Sequence, residues 1–150
     1  MSARFYHLTE SAVDHTCRML LEKCLQAGWR VAVRGTDLER LKWLDEKLWL
    51  GPEDGFLPHG LAGGEHDAAQ PVLLTTGDAP NAPHCLMSID GAAIAPDEAQ
   101  TLERAFIIFD GLDGDAVSRA RVQWKEMTGA GVAAQYWAQD GGRWTMKAEA

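Results

Sequence analysis

Arg121 and Lys125 stand four residues apart, and Trp124 adjoins the lysine. Within a helix this spacing puts both cations on one face. The arginine fork can grip a carboxylate through two hydrogen bonds, and the lysine adds a compact point charge. In a chain of net charge −8, two cations beside an apolar ring would suit the carboxylate of a peptide. Taken alone, the same residues also describe an ordinary solvated helix face, to which the nearby Arg119 would belong.

A second group with chemical potential is Trp49 with the segment that follows it. Gly51, Pro52, Asp54 and Gly55 read as a turn, after which Phe56, Leu57, Pro58 and Leu61 form an apolar loop rich in Pro and Gly. Loop backbone needs water, so loops run over the surface. Apolar side chains on such a loop either fold back onto the core or face a partner, and the residues leave both options open. Aromatic side chains are frequent anchors of protein contacts.

Other chemistry finds little support. The histidines are His7, His15, His59, His66 and His84, and none forms a metal-ligating pair at helical spacing. His59, in the loop, is best suited to hydrogen-bonding backbone and holding that loop. Asp45-Glu46 and Glu53-Asp54 are adjacent pairs, and neighbours in sequence point apart on a helix. No Gly-x-Ser-x-Gly elbow, Gly-x-Gly-x-x-Gly turn or Gly-Lys-Ser/Thr phosphate loop is present. Glycines 60, 63 and 64 open no helix and carry no lysine. No catalytic, cofactor or metal site is expected.

The three cysteines, Cys17, Cys24 and Cys85, form no Cys-x-x-Cys pair, which argues against a zinc site or a disulfide framework. Cys17 and Cys24 share a helix face and read as buried structural thiols. The acidic balance argues against direct, non-specific nucleic-acid binding, which rests on basic excess. A content of 46% hydrophobic and 24% charged residues is that of an ordinary globular protein. No apolar run reaches the ~20 residues of a membrane helix, and residues 1–10 lack the pattern of a signal peptide. A cytoplasmic protein of one domain, residues 1–150, is the expectation.

The elements needed to position these residues can be read from periodicity. Residues 3–8 suggest a strand and residues 11–27 a helix, with apolar positions at helical spacing and Gly28 as its stop. Residues 29–34, 70–76, 84–89 and 105–109 read as buried strands. Thr36 and Glu39 form a capping-box pattern before a helix with an inner stripe of Leu38, Leu41, Leu44 and Leu48, ending on Trp49. Pro96 suits the first turn of a helix running to about residue 104. Asp113 can cap a helix to about residue 128, whose stripe is Val117, Ala120, Trp124 and Met127. Residues 135–147 read as a hairpin turning at 140–142. The alternation predicts an α/β fold, a three-layer α/β/α arrangement around a mostly parallel, Rossmann-like sheet.

Several motifs together resemble the chi subunit of the bacterial DNA polymerase III holoenzyme. They are Phe5-Tyr6, Gly28 with Arg30-Val31, Leu44-Asp45-Glu46 with Leu48-Trp49, and the run from Phe56 to Gly63. Pro71-Val72-Leu73-Leu74, Glu103-Arg104, and Ala120-Arg121 with Trp124-Lys125 complete the set. The resemblance extends to about residue 131 and is weaker over the hairpin. No single motif is specific, but their order and spacing are.

The resemblance implies an adaptor with no activity of its own and no cofactor. One surface would bind the psi subunit, at Trp49 and Phe56 with Leu57 and Pro58. The other would bind the acidic C-terminal tail of single-stranded-DNA-binding protein, at Arg121, Trp124 and Lys125. Here the chain departs from the family pattern, because Val117 occupies a basic position one turn before Arg121. Arg119 is the neighbouring cation that would have to compensate. Two other classes are kept in view: an α/β enzyme with a pocket at the carboxyl edge of its sheet, and a domain that buries the Trp49–Leu61 surface in a homodimer.

Overall fold

The computed structural model describes residues 2–50, 57–141 and 143–150. Among the described residues the strands are β1 (Ala3–Leu8), β2 (Val31–Arg34), β3 (Gly60–Leu61), β4 (Val72–Thr75), β5 (Cys85–Ser88), β6 (Arg104–Asp110), β7 (Ala134–Asp140) and β8 (Arg143–Glu149). The helices are α1 (Val13–Gln26), α2 (Leu38–Trp49), α3 (Pro96–Gln100) and α4 (Gly114–Gly129).

One eight-stranded sheet runs in the order β3-β4-β2-β5-β6-β1-β7-β8. Every pairing is parallel except the β7–β8 hairpin. Side chains alternate across a strand, so β1 feeds two cores. Tyr6 and Leu8 join Leu21, Leu41 and Leu44 of α1 and α2 on one face. Ala3 and Phe5 join Ala99, Ala120 and Met127 of α3 and α4 on the other. This is the expected three-layer α/β/α architecture. Burying each large apolar side chain contributes about 1.5–3 kcal/mol, and Phe5, Leu21, Leu41, Leu44 and Phe106 are almost wholly buried.

Local details differ from expectation. The cap of α2 is Asp37, whose side chain accepts from the Glu39 amide, so Thr36 stands outside the helix. Leu38 becomes the first helical residue and is half exposed, while Leu41, Leu44 and Leu48 are buried as the stripe requires. The helix at Pro96 stops at Gln100 because Arg104 is needed as the first residue of β6, in register with Cys85. Strand β3 lies within the segment read as loop; its two residues pair with Leu73 and Leu74. Asp113 does cap α4, accepting from the amides of Asp115 and Ala116.

Cys17, Cys24 and Cys85 are all buried. Burial pushes the Cys17 thiol up, and contact with Cys24, reinforced by burial, pushes Cys85 up. High values keep Cys17 and Cys85 protonated and inert, while the contact with Cys85 lowers Cys24 against the opposing effect of its burial.

Candidate functional site

Helix α4 is anchored by Ala120 and Met127, which are buried against the sheet. From that anchoring, Arg121 and Lys125 fall on an exposed side and Trp124 on its border. The three residues line a cleft of about 370 Å³ together with Tyr136 of β7 and Ala148 of β8. The hairpin therefore supplies the opposite wall. None of the ion pairs among the described residues involves Arg121 or Lys125.

The aromatic side of this cleft is tightly interlocked. Trp124 meets Phe5 edge-on with ring centroids 5.3 Å apart, and meets Tyr136 at 6.0 Å and 77°. Tyr136 stacks on Phe5 at 6.4 Å. Edge-on and offset arrangements are the favoured ones for aromatic pairs, so the apolar wall is held in place before any ligand arrives. A ligand presenting one apolar group and one or more negative charges meets both of its requirements here.

Val117 does not line the cleft; it packs against the α4-side core. Arg119 does not line the cleft either. Its guanidinium lies over Gly91, where an added Cβ would come 2.7 Å from its Nε, and it lines a different cleft. The positive φ of +79° at Gly91 also favours glycine there.

That second cleft, of about 560 Å³, lies at the carboxyl ends of β1 and β6. Helix α1 leaves β1 on one face of the sheet and α4 leaves β6 on the other, so this is the switch point where Rossmann-like sheets bind ligands. Its polar groups are largely engaged by the protein itself. Arg40 pairs with Asp90 at 3.1 Å and stacks on Trp43 at 3.9 Å. The loop after β1 would be the place for phosphate at a helix N-terminus. There the amides of Thr9, Glu10 and Ser11 all donate to one oxygen, Oε1 of Gln139, at 3.0, 2.9 and 3.0 Å. The Gln139 amide nitrogen in turn donates to Ser11 Oγ at 2.6 Å.

Gln139 thus ties the hairpin to the β1–α1 loop. Gln139→Ala is expected to lower stability by about 1–3 kcal/mol, because it withdraws the acceptor from three donors at once. Gln139→Glu, which keeps the oxygen, should lose much less. Urea denaturation with an unchanged slope for all three proteins checks this, and equal midpoints would remove the latch.

At the end of α2, Trp49 is 55% exposed and Leu50 78% exposed. The Trp49 ring lies 4.5 Å from that of His59. His59 is buried, with Nδ1 2.7 Å from the Leu57 carbonyl and Nε2 3.0 Å from Asp45 Oδ1. It holds the loop to α2, the backbone-bonding role its position suggested. Leu57 is only 3% exposed and belongs to the core on the α1–α2 side, so it supports the surface from beneath and does not form it. Pro58 is half-buried. Phe56, the other aromatic expected here, lies outside the described residues.

Sequence reasoning missed Tyr136, Ala148 and Gln139. Tyr136 reaches Phe5 and His7, and Gln139 reaches the β1–α1 loop, across more than a hundred positions, while Ala148 comes to the cleft from the far strand of the hairpin. Only Tyr136 carried any signal, as an aromatic residue in a strand.

Fold and clefts define a Rossmann-like three-layer α/β protein with an exposed basic and aromatic cleft beside its last long helix. The family model of the DNA polymerase III chi subunit, HolC, matches residues 1–135, and the chain belongs to that family. Its members are accessory subunits of the bacterial replicative polymerase. A probable DNA polymerase III subunit chi of Rickettsia prowazekii is 27% identical over 70 residues, 47% of this chain and 42% of that protein. The DNA polymerase III subunit chi of Pseudomonas aeruginosa is 39% identical over 64 residues, 43% of each. The matched stretches therefore span less than half the length of these relatives. Among the described residues, no helix is long and apolar enough to cross a membrane.

Proposed function

We propose that this chain is a non-catalytic cytoplasmic adaptor of the DNA polymerase III clamp-loader complex. It links a psi subunit, or an equivalent partner, to the acidic C-terminal tail of single-stranded-DNA-binding protein. The observation that carries this reading is the cleft of Arg121, Trp124, Lys125 and Tyr136, a basic rim over an apolar wall in a protein of net charge −8. A tail ending in a phenylalanine carboxylate offers one apolar group and several charges, and the cleft complements both. Each tail binds modestly, and several tails on one oligomer raise the effective concentration.

Exposed Trp49 supports the psi surface, on the opposite side of the sheet from α4. Co-purification with both partners at once tests the adaptor reading; a wild-type protein that retains neither would refute it. A homodimer through the Trp49 surface would show instead as a doubled mass in solution.

The cleft at the carboxyl edge favours one alternative, a small-molecule enzyme. Because the β1–α1 amides are spent on Gln139, calorimetric titration with ATP, NAD or S-adenosylmethionine should show no specific heat. A stoichiometric micromolar complex would revive the enzyme reading.

A further inference from the structure

Behind the tail cleft lies a histidine that the functional reading has not used. His7, on β1, is half-buried, and its Nδ1 lies 2.6 Å from the Tyr136 hydroxyl. The ring is wedged in place. It meets Phe109 edge-on at 5.2 Å, and Gly111 leaves it room: a Cβ there would fall 1.9 Å from His7 Cδ2 and 2.7 Å from the Leu8 carbonyl oxygen. Tyr136 is a wall of the cleft. One hydrogen bond therefore separates a titratable ring from a ligand-facing side chain.

We propose that His7 is a positioning residue that makes capture of an acidic tail pH-dependent, by reversing its hydrogen bond with Tyr136 when it takes up a proton. This rests on the reading of the cleft as a tail site. With neutral His7, Nδ1 accepts the hydroxyl proton of Tyr136, so that proton is turned inward. When the ring is protonated, Nδ1–H donates to the Tyr136 oxygen instead. The hydroxyl proton then swings away from the ring and is available to a carboxylate in the cleft. One proton enters at the imidazole and no other bond is made or broken. The added positive charge also favours an anionic ligand.

Among the described residues, the titratable and charged groups that bear on His7 come from three elements. They are Tyr136 on β7, Asp110 at the end of β6 and Arg121 on α4. Burial holds His7 below the ordinary histidine value, and the Arg121 charge lowers it further, against the opposing pull of Asp110 and the Gly111 backbone. A carboxylate bound beside Arg121 offsets that repulsion and raises the value. Protein and ligand together then hold more protons than they do apart, so affinity rises as pH falls through the range in which His7 titrates.

The test is fluorescence anisotropy of a labelled acidic peptide ending in phenylalanine, against wild type, His7→Gln and Tyr136→Phe, from pH 7.5 to 5.5. Wild type should tighten by about three- to fivefold as one charge is added near the ligand. His7→Gln should show a flat profile across this range. Tyr136→Phe should lose the part of the slope carried by the hydroxyl and keep the part due to the added charge. An NMR titration of the His7 imidazole in wild type, with and without peptide, gives the same answer without mutation and should show an upward shift on binding. Parallel profiles for wild type and His7→Gln, or an imidazole titration unmoved by peptide, overturn the inference alone. No peptide binding at any pH overturns the reading of the cleft and the inference with it.

Discussion

Arg121→Glu should abolish binding of the acidic tail peptide, and Arg121→Ala should only weaken it. The alanine variant loses a fork of donors to the carboxylate, worth roughly a tenfold change in affinity for a partly solvated pair. The glutamate variant adds repulsion against a negative ligand, and the two effects together reach about a hundredfold. Lys125→Glu should act in the same direction through charge alone. All binding should weaken with added salt, because both cations are exposed. The fold should survive, since neither residue packs in the core. Anisotropy with a labelled peptide checks each point, with a peptide lacking the terminal phenylalanine as control. Equal affinities in wild type and both glutamate variants would move the tail site elsewhere. Binding indifferent to the phenylalanine would reduce the cleft to diffuse charge attraction and leave the Trp124 wall without a role.

Trp49→Ala should release the psi partner and leave the protein folded. A ring that is 55% exposed contributes little to the core, while an aromatic side chain at the centre of an interface costs more than about 1–2 kcal/mol when truncated. Phe56→Ala is expected to act in the same way. Leu57→Ala is the contrasting case. It empties a buried site, so about 2–5 kcal/mol of folding stability should go, and any loss of partner should follow from unfolding. A pull-down combined with a thermal melt separates the two kinds of failure. Psi retained at wild-type strength by Trp49→Ala would defeat the interface reading; a melted Trp49→Ala would show that the ring serves the fold. Tail binding should be unchanged in Trp49→Ala, because α2 and α4 lie on opposite faces of the sheet.

What could be read from the chain by itself was local. Helical spacing put Leu41, Leu44 and Leu48 on one stripe, and short apolar runs marked β2, β4, β5 and β6. Arg121, Trp124 and Lys125 form half of the cleft, and that half was legible because residues three and four apart on a helix are neighbours whatever surrounds the helix. Turn chemistry announced the hairpin for the same reason. Where local signals competed, the choice was less secure. Asp37 displaced Thr36 as the cap of α2, and α3 was cut short because Arg104 had to enter the sheet.

Tertiary structure decided everything that depends on which strands become neighbours. In a parallel sheet that order is set by crossovers and not by adjacent turns. Only the placing of β7 beside β1 brings Tyr136 to His7 across 129 positions and closes the second wall of the cleft. The same placing carries Gln139 to the β1–α1 loop, where it occupies three amides that a Rossmann-like fold would otherwise turn toward a ligand. Burial was also decided there. Leu57 and Trp49 look alike as apolar residues near a turn, yet His59 fastens the loop so that one is core and the other is surface. Such outcomes follow from long-range packing, whose partners a one-dimensional pattern does not specify.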